Sequence, residues 1–328
     1  MNPLHLQTLS AIIDEESFED AASILGVSPS AVSQRIKALE KEIGRVVVRR
    51  TSPPTPTDAG EILLQTARRM ELLQAEANAQ LHERIDRVPL TVAINADSLS
   101  EWFKPVLADV ARWDSATLHV RVEDEAYSLA LLKRGDVLGA VTGEAKAASG
   151  CESIALGAFH YVSVANPWLL DRYTSRDGTV DWSTMPVLRF GPRDALQDKD
   201  LERRLGQVPR RRRVSEIPSA EAFFEAARVG LGWALLPESQ AAPLLESGEV
   251  VMLDSTVFEV PLYWQRWRLE SPSLDRLTES VIVAASKVLR PVSVQRSNPC
   301  PCPSCFQFYC RDGVFFLTLR TKHLSYAT

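Results

Sequence analysis

Apolar residues recur at helical spacing in two short segments near the start of the chain. In the first segment they are Phe18, Ala21, Ala22 and Leu25, and in the second Val32, Ile36, Leu39 and Ile43. Ser17 and Ser28 precede the two segments as helix-capping residues, Gly26 suits the end of the first helix, and Pro29 suits the start of the second. The pattern predicts two helices joined by a tight turn, which is a helix-turn-helix.

The polar face of the second helix carries side chains that can contact DNA. They are Ser30, Ser33, Gln34, Arg35 and Lys37, with Ser28 at the helix start. Ser and Gln can bond to base edges in a major groove, whereas Arg and Lys can contact guanine or phosphate. A short strand over 46–48 and a proline-rich loop with Pro53, Pro54 and Pro56 predict a wing. Arg49 and Arg50 lie beside it, where they would bind phosphates.

The distribution of charge also favours DNA as a partner. The chain of 328 residues has a formal net charge of −5, yet basic residues are concentrated between Arg35 and Arg50. A basic cluster in an acidic protein is typical of phosphate neutralisation. The alternative is a solvated pair of amphipathic helices inside some other helical domain.

Residues 58–86 predict one long helix, because apolar residues recur mostly at intervals of three and four and no proline interrupts them. Such a helix beside a small DNA-binding domain needs a surface that covers its apolar stripe. A second copy of the same helix would cover it, which predicts a homodimer, or a tetramer built from dimers. Packing against the rest of the same chain is the alternative.

From Leu90 onward, short apolar strands alternate with amphipathic helices. The predicted strands are 90–94, 117–122, 137–141, 161–164, 187–190, 233–236, 250–253 and 261–266, and the helices are 98–113, 126–134, 219–229, 241–245 and 274–289. This alternation predicts β-α-β units and a parallel sheet. The predicted fold is an α/β domain with two lobes, like a periplasmic binding protein, preceded by an all-α winged helix-turn-helix and a long linker helix.

Polar clusters follow two strands of this predicted sheet. They are Asn95, Asp97 and Ser98 after the first strand, and Glu123, Asp124 and Glu125 after the second. Ligands of open α/β sheets bind beyond the carboxyl ends of the strands. Ser98 and Glu101 also fit a capping box, and the free N–H groups of a helix start can hold a carboxylate. One anion holder among several carboxylates suits a basic amino acid.

Other strand and helix ends supply further candidate ligand contacts. They are Thr142, Arg189, Asp194, Ser219 and Ala220. Structural roles are open alternatives for several candidates. Ser98 could serve only as a cap, Thr142 could be a plain loop residue, and at least one acidic residue at 123–125 could belong to a solvated loop.

The N-terminal motifs resemble the signature of LysR-type transcriptional regulators. The matching residues are Phe18–Leu39, Gly44, Arg50-Thr51 and Thr57–Gly60. The segments Asn95–Ser98, Arg134–Thr142 and Tyr263–Trp267 look like the arginine- and lysine-sensing subgroup, and the resemblance covers roughly residues 1–291. It implies a dimeric regulator that binds a double-stranded operator, responds to lysine, arginine or a similar effector, and controls basic amino-acid export. RNA polymerase is a further partner that this implies. The alternatives are a LysR-type regulator with a different small-molecule effector and an architectural DNA-binding protein without a metabolite switch.

These observations divide the chain into a DNA-binding domain (1–57), a linker helix (58–87) and an effector domain (88–291). Within the effector domain, lobe I is predicted to comprise 88–160 and 265–291, and lobe II 161–264. The tail, 292–328, holds four closely spaced cysteines, Cys300, Cys302, Cys305 and Cys310. Because one residue separates the first pair and prolines interleave, we favour a disordered or non-homologous extension over a zinc site.

Several function classes are disfavoured. The sequence has no phosphate-binding loop, nucleophile motif or histidine pair at ligand spacing. We therefore expect no catalytic residues, no metal site and no cofactor. No apolar run approaches the ~20 residues needed to cross a bilayer, and the N-terminus does not resemble a signal peptide. The sequence thus predicts a cytoplasmic protein without a membrane partner.

Overall fold

The computed structural model describes residues 1–81, 88–114, 116–292, 309–311 and 314–316. Its helices are α1 (Pro3–Asp14), α2 (Phe18–Ile24), α3 (Pro29–Ile43), α4 (Asp58–Leu81), α5 (Ala96–Ser100), α6 (Lys104–Val110), α7 (Glu125–Arg134), α8 (Pro167–Tyr173), α9 (Leu196–Leu205), α10 (Ala220–Arg228), α11 (Glu238–Ser247) and α12 (Pro272–Ala285). Its strands are β1 (Val48–Arg49), β2 (Thr55–Pro56), β3 (Val88–Ile94), β4 (Ala116–Val122), β5 (Gly139–Thr142), β6 (Cys151–Ala165), β7 (Val187–Arg189), β8 (Val214–Glu216), β9 (Ala234–Pro237), β10 (Val251–Trp267), β11 (Tyr309–Arg311) and β12 (Val314–Phe316).

The first three helices and the β1–β2 pair form the predicted winged helix-turn-helix. The Ser17 hydroxyl accepts a hydrogen bond from the backbone N–H of Asp20, and the Ser28 hydroxyl accepts one from Ala31, both at 3.2 Å. Gly26 follows α2 with a positive φ of 63°. The predicted inward residues Val32, Ile36 and Leu39 are buried. The wing strand begins two residues later than predicted, since Val48 pairs with Pro56 in β2.

The linker helix α4 packs one face against the effector domain of its own chain. Leu72 is buried in the same apolar cluster as the strands of lobe I. The buried Glu76 accepts hydrogen bonds from the Ser271 hydroxyl and from the backbone N–H of Ser273, 3.4 Å away, at the start of α12. Arg69 stacks over the Trp267 ring at 4.0 Å. This face of α4 therefore packs against its own chain, which is the alternative given in the sequence analysis.

A second set of apolar side chains on α4 stays exposed. They are Ile62, Met70, Leu73 and Leu81, the last of these 76% accessible. The remaining part of the predicted linker helix, 82–86, lies outside the described residues.

The effector domain is built on a six-stranded sheet in the order β4-β3-β5-β10-β6-β9. As predicted, β3 lies parallel to β4 and β5. By contrast, β10 is antiparallel to both β5 and β6. The prediction of two strands, 250–253 and 261–266, is wrong, because they belong to the single strand β10. The polar residues between the two predicted strands do not end the strand. They lie where the register of the β10–β6 pairing shifts, between Met252 and Val257.

Two lobes with separate apolar cores lie along this sheet. Lobe I surrounds β3, β4 and β5, and its largest fully buried side chains include Trp102, Phe103 and Trp264. Lobe II surrounds β7, β8 and β9, and its core includes Trp233 and Leu188. The long strands β6 and β10 serve both lobes, so the residue positions of the predicted lobe boundary remain a prediction.

The predicted helix over 98–113 is wrong, because this segment contains parts of two helices, α5 and α6. Pro105 lies in the first turn of α6. Proline cannot donate the hydrogen bond that a continuous helix needs, and its ring clashes with the carbonyl four residues earlier. The N-cap position of α5 is Asn95, so Ser98 is inside the helix and does not cap it. The predicted capping box of Ser98 and Glu101 is therefore absent.

No described helix is long and apolar enough to span a membrane. The tail forms a separate unit, in which β11 and β12 pair antiparallel. The disordered or non-homologous character of the tail remains a prediction. Cys310 lies in β11, whereas Cys300, Cys302 and Cys305 lie outside the described residues.

Candidate functional sites

The exposed face of α3 presents most of the side chains expected to contact DNA. Ser28, Ser30, Gln34 and Lys37 are exposed, and Ser33 is half-buried. The Ser28 and Ser30 hydroxyls lie 2.9 Å apart at the start of the helix. Arg35 is half-buried and turns toward α1, where its Nη1 donates to the Thr8 hydroxyl at 3.4 Å. Of the predicted contacts on this helix, Arg35 is thus partly engaged within the protein.

The two wing arginines are exposed but have neighbours. Arg49 Nη1 donates to the Pro56 carbonyl at 3.2 Å, and its Nη2 lies 3.7 Å from the Asp58 carboxylate. The Arg50 guanidinium lies 5.1 Å above the Phe18 ring. Lys41 and Arg45 extend the exposed basic surface between α3 and the wing. This surface has the charge and the protruding helix that a DNA groove requires.

A cavity of about 540 Å³ separates the two lobes of the effector domain. Its size is within the range of small-molecule sites. Lobe I lines it with residues that follow β3 and β4, and lobe II with the loop after β7 and the start of α10. Seven of the residues predicted from the sequence line it, namely Asn95, Asp97, Glu123, Asp124, Glu125, Asp194 and Ala220.

Four predicted ligand contacts are not among the lining residues. Ser98 is buried inside α5. Thr142 is buried, and its hydroxyl accepts a hydrogen bond from Gln265 at 3.2 Å. Arg189 pairs with carboxylates of its own lobe, and Ser219 caps α10 through the backbone N–H of Ala222. The structure gives these four side chains roles in packing, capping or ion pairing.

Asp97 is the best-defined acidic group of the cavity. Its Oδ2 accepts a hydrogen bond of 2.6 Å from the Tyr161 hydroxyl on β6. Removal from water raises the pKa of Asp97 to about 6, although the Tyr161 hydrogen bond opposes this rise. Nearby carboxylates add to it, the largest contribution coming from Asp194.

Two acidic residues after β4, Asp124 and Glu125, show the same effect. Removal from water, together with the charge of Asp124, raises the pKa of Glu125 to about 7. The pKa of Asp124 is also raised, mainly by desolvation, although its carboxylate accepts the backbone N–H of Ala126 at 2.9 Å. Carboxylates whose pKa values are raised by each other and by desolvation are poised to bind cationic groups.

Among the residues that the structure describes, two basic side chains line this mainly acidic cavity. Arg193, from the loop after β7, lies 3.6 Å from the Glu123 carboxylate and 4.7 Å above the Tyr127 ring. Lys199 lies on α9 and is exposed. A ligand with a carboxylate and cationic groups would match this mixture of charges.

Several lining residues were not predicted from the sequence, among them Tyr161, Arg193, Lys199, Phe190 and Gln240. Gln240 on α11 reaches across to lobe I, where its amide donates to the Ser100 hydroxyl at 3.3 Å. Tyr161 lies inside the long strand β6, whereas the predicted ligand contacts follow strand ends or begin helices. Arg193 directly precedes Asp194 in the chain. The prediction of Asp194 therefore indicated the correct loop, but it did not include Arg193.

Comparisons with known proteins agree with this architecture. Residues 4–61 match the family described as bacterial regulatory helix-turn-helix protein, lysR family, and residues 86–283 match the LysR substrate binding domain. The lysine export transcriptional regulatory protein LysG of Corynebacterium efficiens is 62% identical over 290 residues, which cover 88% of this chain and 100% of that protein.

Two solved structures are similar over nearly the same range. One is full-length LysG from Corynebacterium glutamicum with bound effector Arg, which is 58% identical with a TM-score of 0.76 and covers 89% of this chain and 100% of that one. The other is ArgP from Mycobacterium tuberculosis, 37% identical with a TM-score of 0.77, covering 89% of this chain and 99% of that one. The chain therefore belongs to the LysR family of transcriptional regulators, which is a family of regulators and not of enzymes.

Proposed function

We propose that this LysR-family chain controls the export of basic amino acids by binding an operator through its winged helix-turn-helix and lysine or arginine in its interlobe cavity. The observation that carries the proposal is the cavity itself. It brings together the carboxylates of Asp97, Glu123, Asp124, Glu125 and Asp194. The names of the similar proteins support the same effector class, since they include regulators of lysine export and a regulator with bound arginine.

The operator would be contacted by two copies of the chain. In α3, Gln34 and the serines would read base edges, while Lys37, Arg49 and Arg50 would bind phosphates. The exposed apolar residues of α4, from Ile62 to Leu81, would pack against the same helix of a partner copy. We also retain the division into 1–57, 58–87 and 88–291 as the working domain boundaries.

Effector binding would act by changing the relative populations of two lobe arrangements. A ligand shifts such an equilibrium only by as much as it prefers one arrangement, typically ~1–3 kcal/mol. Lobe I contacts the linker helix directly, so a change in the lobes would reach the DNA-binding domain through α4.

Calorimetric titration with the twenty amino acids tests the proposal, with two uncharged analogues as matched controls. L-arginine and L-lysine should bind, whereas citrulline and norleucine, which lack the side-chain charge, should bind at least about tenfold more weakly. Operator binding by fluorescence anisotropy, with and without the best ligand, completes the test. Binding of a neutral metabolite in preference to both basic amino acids would overturn the proposed effector.

A further inference from the structure

A basic amino acid brings two positive groups and one negative group into the cavity. Its positive groups find carboxylates on both lobes, but its α-carboxylate would be repelled by those same side chains. It needs a cation or a set of free N–H groups. Within the part of the chain that the structure describes, Arg193 and Lys199 are the basic side chains in the cavity lining.

Arg193 is held by a small, well-organised loop. Asp194 accepts hydrogen bonds from the backbone N–H groups of Phe190 and Leu196, both at 3.0 Å, and so closes the loop on either side of Arg193. The guanidinium then stacks on Tyr127, a residue of α7 in the opposite lobe. A planar group fixed by a ring on one face keeps its edge available for a ligand.

The N–H groups of Arg193 are available for such a ligand. Its nearest carboxylate oxygen, on Glu123, lies 3.6 Å away, which is longer than a hydrogen bond. Among the described residues, none accepts a hydrogen bond from this guanidinium. The side chain is 61% accessible, so neither burial nor a close ion pair prevents a new contact.

Arg193 suits a carboxylate better than Lys199 does. A guanidinium offers two parallel N–H donors that match the two oxygens of a carboxylate, whereas an ammonium acts as a point charge. Arg193 lies 3.6 Å from Glu123 in the polar cluster after β4, while Asp97, which accepts a hydrogen bond from Tyr161 on β6, belongs to the polar cluster after β3. Both residues line the same cavity, so a basic amino acid could place its carboxylate at Arg193 and its side-chain cation at Asp97.

We propose that Arg193 binds the α-carboxylate of the effector and makes the cavity select an α-amino acid over the corresponding amine that lacks the carboxylate. This inference rests on the proposed function, because it assumes a basic amino acid as the effector. It assigns Arg193 as a specificity-determining residue, and it places the effector against groups of both lobes.

The test compares L-arginine with agmatine, and L-lysine with cadaverine, which are the same molecules without the carboxylate. Calorimetry on the full chain should show a preference of at least about tenfold for the amino acids. Arg193→Gln should weaken binding of L-arginine about 10- to 100-fold and leave agmatine nearly unchanged, which abolishes the preference. Arg193→Lys should keep part of it. Arg172→Gln, which replaces an arginine outside the cavity lining, should keep all of it.

The possible results separate the two proposals. If the wild-type protein binds L-arginine but Arg193→Gln keeps the preference over agmatine, or weakens both ligands equally, the inference about Arg193 is overturned and the proposed function stands. Loss of the preference in Lys199→Gln instead would also overturn it. If the wild-type protein binds neither basic amino acid, both proposals fail. Thermal unfolding of each variant confirms that it is folded.

Discussion

The proposed DNA-contact surface and the proposed effector cavity differ in how the chain assembles them. The DNA-contact surface comes from one continuous stretch, 28–50, displayed on a helix and a wing. The cavity draws its lining from residues between Asn95 and Val260, on both lobes and on the strands that join them. A protruding site can be made by local structure alone, whereas a concave site needs several elements to meet.

The two sites also differ in charge and exposure. The DNA-contact surface is basic and open to water, so its attraction to DNA should weaken steeply as salt rises. The cavity is acidic and partly desolvated, as the raised pKa values of Asp97 and Glu125 show. Its attraction to a cation should therefore depend more on pH and less on salt.

The largest effect that we expect comes from removing charge in the cavity. The double variant Asp97→Asn, Glu125→Gln should lower the affinity for L-arginine about 100-fold, because the effector's cations lose desolvated partners. Operator affinity without effector should stay within about twofold, because that site is separate. Calorimetry and anisotropy measure the two quantities. A loss of operator binding equal to the loss of effector binding would show that the sites are not independent.

The next effect is a dependence of effector affinity on pH. The pKa values of Asp97 and Glu125, about 6 and about 7, lie above the ordinary 3.8 and 4.5, so a cation that needs both charged must displace protons. Affinity for L-lysine should be at least about tenfold lower at pH 5.5 than at pH 7.5. Proton release can be measured by calorimetry in buffers of different ionisation enthalpy. A flat affinity between these pH values would contradict the assigned cavity.

The raised pKa values of Asp97 and Glu125 also determine how the stability of the ligand-free protein changes with pH. The folded protein holds these protons more tightly than the unfolded chain, so the two groups contribute stability that is greatest below pH 4 and is lost as pH rises to about 7. The double variant should lack this part of the pH dependence, which thermal unfolding between pH 5 and pH 8 would reveal.

A smaller effect is expected at the DNA-contact surface. Arg50→Ala should weaken operator binding severalfold for all sequences and reduce the salt slope by ~0.9, because one phosphate contact is lost. Gln34→Ala should instead relax the preference at one base pair, by ~1–3 kcal/mol of discrimination. Anisotropy titrations at several salt concentrations on matched and mutated operators measure both. Arg121→Ala, an exposed arginine of β4, is the control, and equal behaviour of all three variants would refute the assignments.

The smallest effect that we expect concerns the hydrogen bond from Tyr161 to Asp97 in the cavity. Tyr161→Phe removes the donor that lowers the pKa of Asp97. The midpoint of the affinity-against-pH curve should rise, and affinity at pH 7 should fall about three- to tenfold. Calorimetry across pH 5.5–8 measures the curve. An unchanged midpoint would mean that Asp97 does not titrate in the binding reaction.

The same contrast explains what the sequence could predict. Ser17, Gly26 and Ser28 act within one or two turns of the helices that they cap, so local patterns were sufficient for the helix-turn-helix. The acidic residues after β4 follow a strand end and could be predicted in the same way. Tyr161 and Gln240 reach the cavity only because β6 and α11 fold against lobe I. Local sequence patterns carry no information on such tertiary contacts. Pro105 indicates a helix break in the sequence itself, although the predicted helix over 98–113 runs through it.

Glu76 has a consequence for how the chain can be divided experimentally. Its carboxylate, which belongs to α4, satisfies the first turn of α12, almost two hundred residues later. A fragment that ends before Ser271 would leave that carboxylate without its donors and would uncover Leu72 at the same time. An amino-terminal fragment that keeps its long helix should consequently be prone to self-association through this newly exposed surface. Gel filtration of such a fragment would then misreport the assembly state of the whole protein.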